Sequence, residues 1–160
     1  MKNPFLSINN PQPYGVGSYE MAFPLINPLK LISGMRVLEI GSGSSQVAAF
    51  SDESFDSVFA IGSFFMIDER EKALKEMIRV TRKGGHIGIA EPMCTTNPIP
   101  SELEKHEIFT SYNKWLQSLH YNSNLFRNNS LTVTEEYYFP EAYHWAIDNF
   151  NIMMVKRTLY

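Results

Sequence analysis

Glu39, Gly41, Ser42 and Gly43 stand together at the end of a short apolar run, in the order acid-x-Gly-x-Gly. Gly41 and Gly43 can take positive φ and carry no Cβ, so the backbone there can turn sharply and approach a bound molecule closely. Amides exposed at the start of a following helix favour polar or anionic groups, the combination used for nucleotide-type ligands. Acid and base candidates come later in the chain: Glu91, His106, Tyr112 and His120. Cys94 lies in the same region without a basic neighbour in sequence, which reads as an inert thiol. No spaced set of His, Cys, Asp and Glu suggests a metal. The residues spell no triad and suit a reaction driven by alignment and exclusion of water.

The elements that must position these residues follow from pattern. Val37, Leu38 and Ile40 form a short buried strand that breaks at once into the glycine loop. Residues 55–61, Phe-Asp-Ser-Val-Phe-Ala-Ile, read as a second strand, and Gly62, Ser63 and Phe64 turn at its carboxyl end. Asp68 and Glu71 read as a capping box that opens a helix over 68–83, with Ala73, Leu74, Met77 and Ile78 as its apolar stripe and Gly84-Gly85 as its stop. Residues 86–90 are the third strand. Strand, helix and strand in succession predict parallel pairing, with ligands at the carboxyl ends of the strands.

Outside this core the pattern is looser. Pro4, Pro11 and Pro13 make residues 1–14 an arm, and 19–32 carry helical spacing interrupted by Pro24 and Pro28. Residues 91–100 form a proline-broken loop. A second capping box, Ser101 to Glu104, predicts a helix to about residue 120 with an aromatic face. Residues 131–139 alternate as a fourth strand, 140–149 suit a short helix, and 152–157 a closing strand.

The stretch Arg-Val-Leu-Glu-Ile-Gly-Ser-Gly at 36–43 resembles the first motif of the class I S-adenosylmethionine-dependent methyltransferases. Asp52-Glu-Ser-Phe-Asp56 with the strand behind it, and Arg79-Val-Thr-Arg-Lys-Gly-Gly85, resemble two further stretches of that family in the correct order. A dehydrogenase fits less well, because Gln46 occupies the place of the third glycine and the acid, Glu39, lies inside the first strand. The resemblance covers about 28–92 and implies an α/β fold, a Rossmann-like three-layer sandwich with a mostly parallel sheet. It implies S-adenosylmethionine as cofactor, held by Glu39, Gly41, Ser42, Gly43, Gly62, Ser63 and Phe64, with Tyr14 and Tyr19 from the preceding segment laid over it. The chain then divides into an arm and covering helix (1–34), a cofactor-binding core (35–92), a substrate cap (93–130) and a carboxyl-terminal strand-helix-strand (131–160).

One departure from the family is large. Two further strands and two helices normally stand between the glycine loop and the Asp-x-Ser-Phe-Asp stretch, and these need about 35 residues before loops. Residues 45–52 cannot hold one such pair. The sheet is therefore expected to be reduced, with residues 37–40 at an edge that the arm or a second copy of the chain would cover. The ribose and adenine contacts normally made by the absent strands have no counterpart. Two readings follow: a methyltransferase acting on a small molecule, or a non-catalytic methyltransferase-like protein that binds a ligand or partner through an incomplete cofactor site.

The rest of the composition limits the partners. A net charge of -3 and a pI near 5.8 give no basic field for nucleic acid or an anionic membrane. With 44% hydrophobic residues, one cysteine, no apolar run of membrane-spanning length and no basic-apolar leader pattern, the expectation is a cytoplasmic domain with a small-molecule substrate.

Overall fold

The computed structural model describes residues 24–41, 49–95, 101, 104–105, 110, 115–142 and 144. Strands β1 (Val37–Ile40), β2 (Phe55–Ile61) and β3 (Thr81–Ala90) form one parallel sheet in the order β1-β2-β3. Helix α1 (Arg70–Val80) connects β2 to β3, as the strand-helix-strand pattern predicts. A 3-10 turn, Phe64–Met66, precedes α1, and α2 (Leu119–Asn128) follows the sheet.

Alternation along the strands sorts the two faces of the sheet. Val58 and Ala60 of β2 pair in register with Leu38 and Ile40 on one side and with Ile87 and Ile89 on the other. These residues meet Leu74, Met77 and Val80 of α1, and Phe64 fills the space above them with no exposed surface. On the opposite face Gly88 lies under the 24–30 segment, where an added Cβ would come within 2.6 Å of Leu25 Cδ1 and 3.2 Å of Leu29 Cδ2. Leu29 is buried there. Helix, sheet and covering segment make the three layers of a reduced Rossmann-like α/β fold.

The elements differ from the sequence expectation in several places. The covering helix over 19–32 is, among the described residues, one helical turn at 24–26 followed by turns, because Asn27 and Pro28 break it and Lys30 takes φ 50. The Asp68 to Glu71 capping box does not form. Glu69 is the N-cap and makes no side-chain cap bond, while Asp68 accepts from Trp115 Nε1 at 3.2 Å. Helix α1 ends at Val80, not at the glycines: Thr81 is already extended, and its hydroxyl donates to the Met77 carbonyl at 2.6 Å. Gly84 and Gly85 instead sit at the irregularity where β3 joins β2. There Gly84 has φ +72, and a Cβ on Gly85 would lie 2.7 Å from the Asp56 carbonyl oxygen.

Farther on, 116–117 are not helical and Ser118 starts a new helix, its hydroxyl accepting from the Tyr121 amide at 3.1 Å. Of the expected helix from 101, residues 101, 104, 105 and 115 are turns and 110 is helical, and the rest before 115 lies outside the described residues. Residues 131–139 form no strand; they run as an irregular, largely exposed segment. The expected closing strand at 152–157 lies outside the described residues.

The two later family-like stretches interlock. Arg79 Nη1 donates to Asp52 Oδ1 at 2.6 Å, and Arg82 Nε to Asp56 Oδ1 at 2.6 Å. The other oxygen of Asp56 accepts from the Arg36 amide at 2.8 Å, so one carboxylate ties together the approaches to all three strands. This clasp lies at the amino ends of the strands. It is scaffold, and it leaves the opposite ends open.

Candidate functional site

The carboxyl ends of the strands are joined through the turn Gly62-Ser63. The Gly62 amide donates to the Ala90 carbonyl at 2.7 Å, and the Ser63 hydroxyl donates to the Ile40 carbonyl at 2.6 Å. Gly41 takes φ +107, and a Cβ there would lie 2.2 Å from both Cβ and Oγ of Ser63. Glycine is required at 41 because its neighbour across the sheet occupies that space. Glu39 is exposed on the edge strand beside this turn. Among the described residues β1 pairs with β2 alone, and Val37 is 38% exposed.

The sequence-derived candidates distribute unevenly around this end. Glu39, Gly41, Gly62 and Ser63 are brought together. Phe64, the third residue of that turn, is fully buried in the core. Ser42, Gly43, Tyr14, Tyr19, His106 and Tyr112 lie outside the described residues.

Glu91, the first residue after β3, is 7% exposed. Its Oε1 accepts from Asn122 Nδ2 on α2 at 2.9 Å. Burial pushes its carboxyl up to about 7, and the Arg70 guanidinium, the Asn122 amide and the Phe65 backbone amide each hold it back from rising further. Arg70, at the start of α1, is 7% exposed and donates through Nη2 to the Phe65 carbonyl at 2.6 Å and to the Trp115 carbonyl. Glu91 Oε2, Asn122 Oδ1 and Arg70 Nη1 are buried without a hydrogen-bond partner among the described residues. Native proteins rarely leave such groups unmatched, and three in one place mark a site where something polar belongs.

Beside this cluster runs a groove of about 530 Å³, its walls formed by β3, the 24–29 segment, α2 and residues 132–139. Its lining is chiefly apolar, from Leu25, Leu29, Ile89 and Phe126, with Glu91 and Asn122 as buried polar side chains. Tyr138 ties the outer wall down: its hydroxyl donates to the Cys94 carbonyl at 2.7 Å and accepts from the Leu119 amide at 3.1 Å. Sequence reasoning identified Glu91 but missed Arg70, Asn122 and Tyr138. Arg70 stood inside an apparent capping box. Asn122 lies one turn into α2 and carries no signal of its own in the sequence.

A parallel sheet with its helix on one face, a glycine turn at the strand ends and a groove beside them defines a Rossmann-like ligand-binding domain. Residues 30–89 match the sequence model of the family described as "Methyltransferase domain". The chain is 39% identical over 62 residues to the O-methyltransferase resE of Aspergillus sclerotiorum, covering 38% of this chain and 24% of that protein. It is 40% identical over 42 residues to methyltransferase GfsG of Streptomyces halstedii, covering 26% and 15%. It is also 34% identical over 65 residues to the ubiquinone/menaquinone biosynthesis C-methyltransferase UbiE of Hahella chejuensis, covering 41% and 26%. Over this part of its length the chain is similar to S-adenosylmethionine-dependent methyltransferases. The matches span about a quarter or less of the length of these curated relatives.

The described residues fit one end of the family's cofactor. Gly41 at φ +107 and Gly62 at φ +61 turn the backbone at two adjacent strand ends, with the Glu39 carboxylate exposed nearby for a cationic group. Among the described residues no strand lies between β1 and β2 in the chain to carry ribose or adenine contacts. Among the described residues no group of three or more His, Cys, Asp and Glu could hold a metal, and no helix is long and apolar enough to cross a membrane.

Proposed function

We propose that this protein binds S-adenosylmethionine at the carboxyl end of its sheet and methylates a small organic molecule seated in the adjoining groove. The observation that carries the reading is that the Gly62 amide bonds the carbonyl of Ala90, which with the buried Glu91 lines a mostly apolar groove, while Ser63 bonds the end of β1 beside Gly41. Glu39 would hold the amino group of the cofactor's methionine portion, and the backbone at Gly41 and Gly62 its carboxylate side, with Ser42 and Gly43 completing the loop. When bound, the cofactor supplies an electrophilic methyl group on a sulfonium. The chain's own contribution is to hold the acceptor in line in a water-poor groove, where proximity does most of the work.

Calorimetric titration with S-adenosylmethionine tests this. Each charge-assisted hydrogen bond is worth on the order of 1.5 to 3 kcal/mol, so losing two to the ribose weakens binding by roughly a hundredfold or more relative to a complete site. Weak saturable binding with methyl transfer to a small acceptor is expected. The second reading, a non-catalytic binding protein, is favoured by the short 41–54 passage, and absence of binding at millimolar cofactor would select it. Pairing of two copies through the open edge of β1 is a further proposal, tested by sedimentation.

A further inference from the structure

Outside the strand-end turns, the unmatched polar atoms of Glu91, Asn122 and Arg70 are the strongest feature of the molecule. Two are acceptors on residues that line the groove, Glu91 Oε2 and Asn122 Oδ1; the third, the donor Arg70 Nη1, belongs to a residue that does not line it. A ligand group that only accepts would leave both of these oxygens unmatched, so the group must donate. A hydroxyl donates and is also a nucleophile for a methyl group, and the apolar walls from Leu25, Leu29 and Phe126 suit a ring or hydrocarbon behind it.

We propose that the Glu91–Asn122 pair anchors a hydroxyl-bearing aromatic or aliphatic acceptor, with Glu91 Oε2 accepting the hydroxyl proton. The proposal rests on the methyltransferase reading for its reaction but not for its binding. During transfer the acceptor oxygen forms its new bond to carbon as its own proton passes to Glu91 Oε2. The electron pair of the broken carbon–sulfur bond stays on sulfur, and the protonated carboxyl returns its proton to solvent when the ether leaves. Asn122 is a positioning residue: its amide fixes Oε1 and leaves Oε2 for the ligand.

Charged and titratable groups around this carboxyl are few. Arg70 approaches from α1 and favours the carboxylate. His86 lies farther back along β3. Glu135 and Glu136 line the groove from the outer segment, with Glu136 paired to Arg127 at 3.0 Å, and the exposed His120 of α2 is engaged with Asn124 at 2.9 Å. Glu91 therefore titrates near neutrality. A ligand that needs its carboxylate form should bind about tenfold more weakly at pH 6 than at pH 8, in proportion to the ionised fraction.

The test titrates the protein, without cofactor, with phenol and with anisole, its methyl ether, following chemical shifts by NMR at pH 6 and pH 8. Phenol is expected to perturb groove residues and bind about tenfold more tightly at pH 8, with anisole weaker at pH 8 and lacking that gain. In Glu91→Gln the pH dependence of phenol binding should vanish. Equal affinity for the two compounds, or phenol binding indifferent to pH in the wild-type protein, overturns the proposal. Should Glu91→Gln fail to fold, the wild-type comparison alone decides. Phenol binding that meets these terms in a protein blind to S-adenosylmethionine would overturn the methyltransferase reading and leave the hydroxyl anchor standing.

Discussion

Gly41 and Ser63 are packed so closely across the ends of β1 and β2 that a Cβ on the glycine would lie 2.2 Å from Cβ of the serine. The contact joins two motifs separated by a strand and makes the backbone at 41 both left-handed and confined. Gly41→Ala is therefore expected to destabilise the fold through a strained φ, on the order of 1 to 3 kcal/mol, with the overlap added. In a Ser63→Gly background the overlap disappears, so the penalty should fall toward strain alone. Denaturant unfolding of the four proteins measures this coupling, and simple additivity would refute it.

Asp56 offers a second check at the other end of the sheet. Its carboxyl is held below the ordinary 3.8, first by the Arg36 amide and then by the Arg82 side chain. A lowered value in the folded state means that stability is present above the ordinary value and lost as pH falls through and below it. Asp56→Asn should lower stability at neutral pH, because one amide cannot accept from both partners, and should flatten the acid limb. An unchanged acid limb would mean the clasp contributes nothing.

Glu91 reverses the sign. With a folded value of about 7 against an ordinary 4.5, the folded protein keeps a proton that the unfolded chain has already released. Its contribution is complete below about pH 4.5 and drains away as pH rises through 7, a change on the order of 3 kcal/mol. Glutamine mimics the neutral acid, so Glu91→Gln should match the wild-type protein near pH 5 and exceed it in stability at pH 8. Urea midpoints at the two pH values check this; a variant weaker at both would indicate that the carboxylate form is structurally needed.

The core was legible in the sequence because it is local and periodic. Val37 to Ile40, Phe55 to Ile61 and Ile87 to Ala90 are short apolar runs ending in glycine or loop residues, and the stripe on α1 left one topology to consider. Helix ends were misread where a tertiary partner outbid a local rule. Asp68 serves Trp115 instead of its own helix, and Gly84-Gly85 serve strand pairing with Asp56 rather than helix termination. The apparent strand at 131–139 shows the converse failure, alternation without a neighbour to pair with. Of the site, the glycine turn and Glu91 could be read directly. Arg70 and Asn122 could not, because their importance comes from burial beside Glu91, which arises only when α1 and α2 meet the end of β3.

Tyr138 supplies the last prediction. Its hydroxyl donates to the Cys94 carbonyl and accepts from the Leu119 amide, a backbone donor at the start of α2 that has no partner within the helix. It thereby holds residues 131–139, which have no ladder of their own, as the outer wall of the groove. Tyr138→Phe keeps the ring and removes both bonds. Because the residue is 43% exposed, water can replace part of the loss, and the global cost should be about 1 kcal/mol. The local effect should be larger: amides of 131–139 should exchange with deuterium faster, while those of β2 keep their protection. Uniform acceleration across the sheet would show that the tyrosine supports the whole fold and not the groove wall alone.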